Sequence, residues 1–214
     1  MDTSALTIRI ADPADAAALL HVIHQAFAAR PAVDPPAEAL TDEVADIERA
    51  LTDGFGVVVE REGHIIAGLL VDIVDGTATL RRVSVLPSAS GQGVARSLVE
   101  GALTVAADLG ARRASLFARQ EFPQLVDWWR DHGFDIIAPE PHGFRMGRDL
   151  PVVVDVPTAD DMARLGRRLA GVLRKGDVIV ATGDLGAGKT TLTQGIGAGL
   201  DVEGPIISPT FVIS

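Results

Sequence analysis

The sequence predicts two consecutive α/β units: a mixed antiparallel and parallel sheet with flanking helices, followed by a shorter α/β module. The first observation is the order of the predicted elements over residues 5–150: strand, two helices, three antiparallel strands, helix, strand, helix, strand. The second is a glycine-rich turn between a strand and a helix, which occurs twice, at residues 90–95 and 183–191. We therefore expect one domain over residues 5–150 and another over residues 151–214.

The composition indicates a folded protein without disulfides. Of its 214 residues, 47% are hydrophobic and 22% charged, and none is a cysteine, which excludes thiolate chemistry. No apolar run is long enough to span a bilayer, and the N-terminus lacks the basic and apolar regions of a signal peptide. A cytoplasmic protein of bacterial type, with no membrane partner, is the simplest interpretation.

The net charge of −10 is concentrated in the first unit. Residues 151–214 carry 6 Lys+Arg against 7 Asp+Glu, which leaves 13 against 22 for the first 150 residues. Such an acidic unit is not expected to bind nucleic acid through non-specific electrostatics. It mildly favours a cationic acceptor, such as an amine.

The elements of the first unit follow from hydrophobic periodicity and turn signals. An Asp-Pro pair at residues 12–13 marks the start of the first helix, and a second amphipathic helix is expected over residues 38–51. Turns at residues 62–63 and 75–76 separate three antiparallel strands. The expected later bounds are strands 55–60, 64–72 and 77–85, helix 94–108, strand 113–118, helix 122–132, a last strand, and a linker at 147–151.

The first glycine turn, Ser90-Gly91-Gln92-Gly93-Val94-Ala95, follows the strand that ends at Val85 and opens a helix. Its exposed backbone amides, at a helix N-terminus, suit a pyrophosphate. The order of elements and these residues resemble the GNAT acetyltransferase family over roughly residues 5–150. The family loop, [QR]-x-x-G-x-[GA], is matched by Gly93 and Ala95, while Ser90 departs from the usual long polar side chain.

Two further segments resemble the same family: Val85-Leu86-Pro87 before the loop, and Trp129-Arg130-Asp131-His132-Gly133-Phe134 late in the unit. The resemblance implies acetyl-CoA as the cofactor. The residues it implies for acetyl-CoA binding are Val83, Ser84, Val85, Ser90, Gly91, Gln92, Gly93, Val94, Ala95 and Arg96.

The resemblance also implies direct attack of an amine on the acetyl thioester, whose carbonyl is polarised by backbone amides of a bulged fourth strand. The acceptor would be a small amine, a protein N-terminus or a lysine. The family's usual acid, a tyrosine, is replaced by Trp129, and indole cannot donate a proton as an acid. The thiolate would leave unassisted or through water, or the unit would bind CoA without turnover. Core packing is the alternative role for Trp128 and Trp129.

The sequence does not single out a catalytic base. By residue type alone, four side chains are candidates for the base that takes the proton of the amine. They are Glu60, Asp72, Asp75 and His142.

The second glycine turn, residues 183–191, fits the pattern G-x-x-x-x-G-K-[ST] at every constrained position. Residues 177–181 predict a buried parallel strand before it, and residues 190–198 a helix after it. Lys189 would reach the β- and γ-phosphates, and the Thr190 hydroxyl would bind Mg²⁺. The alternative is a glycine-rich turn with a solvated lysine. Around this core we expect a strand at 152–156, a helix from Thr158 to Lys175 and a strand near 205–212.

Residues 152–214 closely resemble the TsaE family, the ATPase subunit of the bacterial tRNA threonylcarbamoyladenosine machinery. The resemblance rests on the second turn and on Ser208-Pro209-Thr210-Phe211, for which an ordinary turn is the alternative. It implies ATP with Mg²⁺ as cofactor, Thr190 as metal ligand and the protein subunits of that machinery as partners. The implied ATP-binding residues are Thr158, Asp184, Leu185, Gly186, Ala187, Gly188, Lys189, Thr190 and Thr191.

The TsaE family continues beyond this tetrad into strands that carry an acidic partner for Mg²⁺, so the second module is expected to be truncated. Since hydrolysis needs that metal site, we expect the chain to bind nucleotide poorly and not to hydrolyse it. Three functions stay open: an N-acetyltransferase fused to part of an ATPase, a CoA-binding scaffold without turnover joined to a nucleotide-binding module, and a P-loop kinase of a small molecule.

Overall fold

The structure, a computed structural model, describes residues 6–204 and residue 206. Its internal contacts divide the chain into two units, Met1–Val153 and Val154–Ser214.

The first unit contains seven strands and four α-helices within the described residues. The strands are β1 (Leu6–Ile10), β2 (Phe55–Arg61), β3 (His64–Val74), β4 (Thr77–Val85), β5 (Arg113–Arg119), β6 (Asp135–Glu140) and β7 (Gly143–Asp149). The helices are α1 (Ala16–Ala28), α2 (Val44–Asp53), α3 (Val94–Asp108) and α4 (Pro123–Asp131).

The seven strands form one mixed sheet in the order β1-β2-β3-β4-β5-β7-β6. Every neighbouring pair is antiparallel except β4 and β5, which are parallel. The mixed sheet with flanking helices that the sequence predicts is therefore confirmed.

Helices cover both faces of the sheet. Since successive side chains of a strand point to opposite faces, neighbouring residues of β2 pack against different helices. On β2, Val58 packs into a cluster with residues of α1 and α2. Its neighbours Val57 and Val59 pack into a second cluster with residues of α3 and α4. All three valines are fully buried, so β2 lies between the two layers.

Most predicted elements of the first unit are confirmed, and β4 and α3 have the expected bounds. The predicted helix over residues 38–51 is wrong in its first half. Residues Glu38–Leu40 form one 3-10 turn, and α2 begins only at Val44. The Asp46 carboxylate accepts the N–H of Glu43 at 2.9 Å, which caps the helix at that point.

The predicted linker at residues 147–151 is also wrong in its first part, since Gly147 to Asp149 belong to β7. This strand pairs antiparallel with β5 along its whole length. A Cβ on Gly143 would lie 2.3 Å from the carbonyl oxygen of Ala118, so the strands approach closely where β7 begins. The glycines at 143 and 147 hid this strand, because glycine is normally depleted in strands.

The second unit contains two described helices, α5 (Ala159–Ala170) and α6 (Lys189–Gly199). They pack at very short backbone distance, because glycines meet at the crossing. A Cβ on Gly166 would lie 2.5 Å from the carbonyl oxygen of Leu192, and one on Gly195 would lie 2.4 Å from that of Ala163. The predicted helix after the second glycine turn is confirmed, whereas α5 ends at Ala170 rather than at Lys175.

The two strands predicted in the described part of the second unit are not formed. Residues 152–156 and 177–181 have no regular structure, and Val153 and Val178 are 82% and 86% exposed. A buried parallel strand needs a neighbour on each side, and the described residues of this unit provide none. The predicted strand near 205–212 and the tetrad Ser208–Phe211 lie outside the described residues, except for residue 206.

Candidate functional site

A β-bulge in β4 sets the geometry of the candidate site in the first unit. The pairing of β3 with β4 shifts between Gly68↔Ser84 and Leu70↔Arg81, so Arg82 and Val83 together face a single β3 residue. Arg82 takes a left-handed backbone conformation, with φ of 53°. Such a conformation costs a non-glycine residue about 1–2 kcal/mol, so neighbouring contacts must hold it.

Strand β4 separates from β5 just before the bulge. The parallel pairing of the two strands covers only Thr77↔Arg113 to Thr79↔Ser115, although both strands continue beyond it. The N–H of Leu86 points to β3, where it donates to the carbonyl of Ile66 at 2.9 Å. Because amide directions alternate along a strand, the N–H of Val85 points to the open side, where β5 has diverged. The divergence leaves free backbone groups beside the bulge.

The first glycine turn follows β4 and ends at the N-terminus of α3. Gly91 and Gly93 have φ of 75° and 76°, and a Cβ on either would meet no atom within 4 Å, so the turn is open on its outer side. Gly93 is the N-cap of α3, and its carbonyl accepts the N–H of Ser97 at 3.1 Å. The first helical N–H groups, which have no partner one turn earlier, face an uncovered turn with the positive end of the helix dipole. This arrangement fits a phosphate group.

A cation also lies at the same turn. The guanidinium of Arg61, at the end of β2, donates to the side-chain oxygen of Gln92 at 2.7 Å. The amide group of Gln92 in turn donates to the carbonyl of Ser88 at 3.0 Å. Ser90, by contrast, is exposed, and its hydroxyl donates to the carbonyl of Leu86 at 3.4 Å. No sequence pattern indicates Arg61, because the pairing of β2 with β3 brings it to the turn.

Segment 30–42, between α1 and α2, is attached to the bulge at both of its ends. The guanidinium of Arg30 donates to the carbonyl of Val83 at 3.1 Å. The carboxylate of Asp42 accepts two hydrogen bonds from Arg82, at 2.6 and 3.0 Å. Hydrogen bonding to Asp42 raises the pKa of Arg82 above its usual range, which outweighs the effect of burial. These contacts fix both bulge residues.

The middle of segment 30–42 is attached to the far strand. Arg119, the last residue of β5, donates to the carbonyls of Asp34 and Pro35 at 3.0 and 2.8 Å. Arg119 also holds the carboxylate of Glu121 at 2.7 Å and thereby lowers the pKa of Glu121. The segment thus runs from the β4 bulge to the end of β5 and back, and crosses the gap between the two diverging strands.

Three of the four candidate bases are engaged elsewhere or far from this gap. Glu60 accepts from Arg9 at 3.0 Å, Asp72 accepts from Arg81 at 2.9 Å, and Asp75 occupies the turn between β3 and β4. His142 lies in the turn between β6 and β7, and its carbonyl accepts the N–H of Gln120 at 3.2 Å. Since Gln120 directly follows β5, His142 is the candidate that lies at the open end of the gap.

The tryptophans have different environments. Trp129 is buried in the core and meets the ring of Phe134 edge to face, at 5.1 Å between centroids. Trp128 is half-buried and stacks on His132 at 3.9 Å, while His132 Nδ1 bonds to the carbonyl of Trp128. Trp129 therefore packs in the core, which is the alternative role that the sequence predicts for it.

The second glycine turn also ends at a helix N-terminus. Gly188 is the N-cap of α6 with φ of 85°, and Gly186 has φ of 87° with no atom within 4 Å of a Cβ position. Lys189 Nζ donates to the carbonyls of Gly183 and Asp184, at 2.7 Å each. The ammonium thus lies across its own loop, where phosphate oxygens would replace the two carbonyls. The turn fits a phosphate chain.

Helix α5 packs against this loop. The side chain of Met162 lies 3.2 Å from the position of a Cβ on Gly188. Thr158, one turn earlier, is the N-cap of α5 and accepts the N–H of Asp161 at 3.1 Å. Thr158 is therefore on the part of α5 that is nearest the loop. Asp184, Leu185, Ala187, Thr190 and Thr191 lie on the loop or in the first turn of α6.

Residues 6–204 and 206 contain neither a cluster of metal ligands nor a membrane-spanning helix. No group of three or more His, Cys, Asp or Glu side chains is placed to hold a metal ion. No helix in this part of the chain has the length and apolarity needed to cross a membrane.

Comparison with protein families finds two matches along the chain. Residues 20–134 match the model of the Acetyltransferase (GNAT) family. Residues 156–214 match the model described as Threonylcarbamoyl adenosine biosynthesis protein TsaE. The two matches do not overlap, and each falls on one of the two units.

Solved acetyltransferase structures share the fold of the first unit. The PaiA N-acetyltransferase from Thermoplasma acidophilum, solved in complex with coenzyme A, has a TM-score of 0.59 at 15% identity, over 68% of this chain and 99% of that one. The ribosomal-protein-S18-alanine N-acetyltransferase from Escherichia coli has a TM-score of 0.54 at 18% identity, over 72% and 99%. At such identities the likeness shows the fold alone.

Curated relatives match the second unit more closely in sequence. The TsaE protein of Streptomyces coelicolor is 62% identical over 53 residues, which are 25% of this chain and 36% of that protein. The TsaE protein of Nostoc sp. is 44% identical over an alignment of 73 positions that covers 29% of this chain and 45% of that protein. The chain spans about a third to a half of the length of these relatives. The matches show a GNAT region fused to a TsaE-like region and do not favour the scaffold or kinase alternatives.

Proposed function

We propose that this chain, which belongs to the GNAT family of acetyltransferases, transfers the acetyl group of acetyl-CoA to an amine in its first unit. The observation that carries the proposal is the divergence of β4 from β5 at a bulge, next to the open glycine turn of α3. The gap offers backbone groups along one side, and the turn offers a phosphate site at its end.

The proposed acetyl-CoA site contains the residues that the resemblance implies. Backbone groups of Val83, Ser84 and Val85 would line the pantetheine arm, since the Ser84 side chain is buried and donates to the carbonyl of Arg82 at 2.8 Å. Residues 90–96 would bind the pyrophosphate. To these we add Arg61, whose guanidinium lies at the turn where Ser90 replaces a longer polar side chain.

Acetyl-CoA supplies an acyl group that is activated for attack by a neutral amine. In the transfer a C–N bond forms, the C–S bond breaks and the amine loses one proton. The N–H of Val85 points to the open side of β4 and is the donor that would polarise the thioester carbonyl. His142 is the residue to test as the base, because it lies at the open end of the gap. The thiolate leaves without an acid, since a free thiol has a pKa of about 8.5.

The second unit is proposed to bind ATP. Residues 184–191 would hold the phosphates, with Lys189 at the β- and γ-phosphates, Thr158 near the nucleotide and the Thr190 hydroxyl on Mg²⁺. Hydrolysis would also need an acidic partner for Mg²⁺ beside the Thr190 hydroxyl, so the proposed role of these residues is nucleotide binding and not turnover. By their names the relatives act in tRNA threonylcarbamoyladenosine biosynthesis, and we propose that the protein subunits of that machinery are partners. The cytoplasm is the proposed location.

The test uses the whole chain in two steps. Titration calorimetry with acetyl-CoA first measures binding, and a thiol-release assay then measures transfer to a panel of small amines and N-terminal peptides. Binding together with amine-dependent thiol release would support the enzyme. Binding without release under any condition would instead support the scaffold, and absence of binding would contradict both.

A further inference from the structure

Arg30 is a cation placed against the β4 bulge. Its guanidinium lies over the ring of Phe27, with the central carbon 4.0 Å from the ring centroid. One of its terminal nitrogens, Nη2, donates to the carbonyl of Val83 at 3.1 Å. The residue is half-buried, and burial lowers its pKa because the charged form loses solvation.

In the part of the chain that the structure describes, Arg30 forms no ion pair, unlike three other half-buried arginines of the first unit. Arg82, Arg119 and Arg148 have side chains that are 20%, 15% and 28% exposed, and each holds a carboxylate. Removing a guanidinium from water without an anion is costly, and one carbonyl and one ring compensate only part of that cost.

The remaining donors of Arg30 are open to a ligand. Its Nε and Nη1 atoms donate no hydrogen bond among the described residues. Neither atom is fully buried, so both can be reached from solvent. Unpaired nitrogens that still reach solvent can accept a planar anion, and a guanidinium matches a carboxylate with two parallel hydrogen bonds.

The position of Arg30 relates this anion to the reaction. Arg30 contacts Val83 in the bulge, two residues before the amide of Val85 that points into the gap. It also begins segment 30–42, which crosses that gap to Arg119 on β5. An anion on Arg30 would therefore lie beside the place where the thioester and the amine meet.

We propose that Arg30 binds a carboxylate of the acyl acceptor, so that the acceptor is an amine that also bears a carboxylate close to it. The inference rests on the proposed acetyl transfer. Two sources share this chemistry: a free amino acid, and a peptide with an acidic side chain near its N-terminus. The overall acidity of the unit would then select for the amine, and Arg30 for the carboxylate.

The experiment compares matched acceptors that differ only in the carboxylate. Acetyl transfer is measured with amino acids against their amides, and with N-terminal Glu- or Asp-containing peptides against their Gln or Asn counterparts. The chains are the wild type, R30Q, R30K and the control R112Q, whose arginine is exposed and has no ion pair among the described residues. The pair that shows the preference identifies the source of the carboxylate.

We expect the wild type and R112Q to prefer one carboxylate acceptor over its amide by at least about twentyfold in kcat/KM. In R30Q this preference should fall below about twofold, mainly through KM, while the Kd of acetyl-CoA stays the same. R30K should keep part of it, since lysine supplies charge without the planar pair of donors. Tryptophan fluorescence melting checks that each variant folds.

An equal loss in R30Q for carboxylate and amide acceptors would overturn the proposal, because Arg30 would then only support the Val83 carbonyl. If the wild type transfers no acetyl group, the proposed function fails by itself. The carboxylate site is then tested by NMR titration with glutamate and with glutamine amide, which carries no carboxylate. Chemical-shift changes near Val83 with glutamate that disappear in R30Q would support the site, and identical titrations would overturn it.

Discussion

The guanidinium of Arg82 donates to both carboxylate oxygens of Asp42, at 2.6 and 3.0 Å, and this pair joins the β4 bulge to the start of α2. The side chains are only 20% and 14% exposed. Since Arg82 also has a left-handed backbone, the ion pair compensates for a conformation that the strand would otherwise avoid. The bulge and the segment over the gap therefore form one structural unit.

Breaking this pair should destabilise the first unit. We expect D42N to lower its free energy of unfolding by about 2 kcal/mol, because a half-buried guanidinium loses a charged partner. Urea unfolding followed by tryptophan fluorescence reports on this unit specifically, since both tryptophans, Trp128 and Trp129, lie in it.

The control is R49A, which removes the exposed ion pair of Arg49 with Asp46 and keeps the Asp46 cap of α2. It should stay within about 0.5 kcal/mol of the wild type. Equal destabilisation by D42N and R49A would show that the Arg82–Asp42 pair does not hold the bulge.

The first glycine turn predicts a specific loss of acetyl-CoA affinity in G93A. A Cβ there would be strained at φ of 76° and would project into the open side that is proposed for the phosphates. We expect at least a tenfold higher Kd by calorimetry. G110A is the matched control, because Gly110 has φ of 88°, an equally open Cβ position and a place after the far end of α3. Similar Kd values for the two variants would contradict the phosphate site.

Arg61 should contribute a charged contact to the same ligand. We expect R61Q to raise the Kd of acetyl-CoA about tenfold, as one charge-assisted hydrogen bond is worth roughly 1.5 kcal/mol. The effect should shrink at high salt and should be absent for a pantetheine fragment without the pyrophosphate. R112Q, with an exposed arginine elsewhere, serves as the control. An unchanged Kd in R61Q would remove Arg61 from the site.

In the second unit the two lysines of the chain provide a matched pair. We expect K189A to abolish whatever affinity for ATP the chain has, because Lys189 supplies the ammonium across the loop. K175A, outside the loop, should leave that affinity unchanged. Fluorescent nucleotide titration measures both. Equal binding by wild type and K189A would place the nucleotide elsewhere.

The sequence predicts the first unit well where the pattern is local. The bounds of β4 and α3 follow from alternation, glycine stops and the turn before Val94. What it could not predict depends on distant pairing: Arg61 reaches the turn through the sheet, and β7 contains glycines because it packs closely on β5. The ion pair of Arg82 with Asp42 likewise joins residues forty positions apart.

In the second unit the local pattern succeeded for the helices and failed for the strands. Helix α6 is specified by its own cap and hydrogen bonds within the segment. The runs at residues 152–156 and 177–181 have the composition of buried strands, but a strand forms only when a neighbour satisfies its amides. Side-chain composition alone therefore predicted two strands that the described structure does not contain.

The crossing of α5 and α6 leaves no room for even one added methyl group at Gly166 or Gly195. A serine or alanine there would force the helices apart and would withdraw Met162 from the glycine loop, although no residue of the loop itself had changed. We therefore expect such variants to lower the stability of the second unit by about 1–3 kcal/mol.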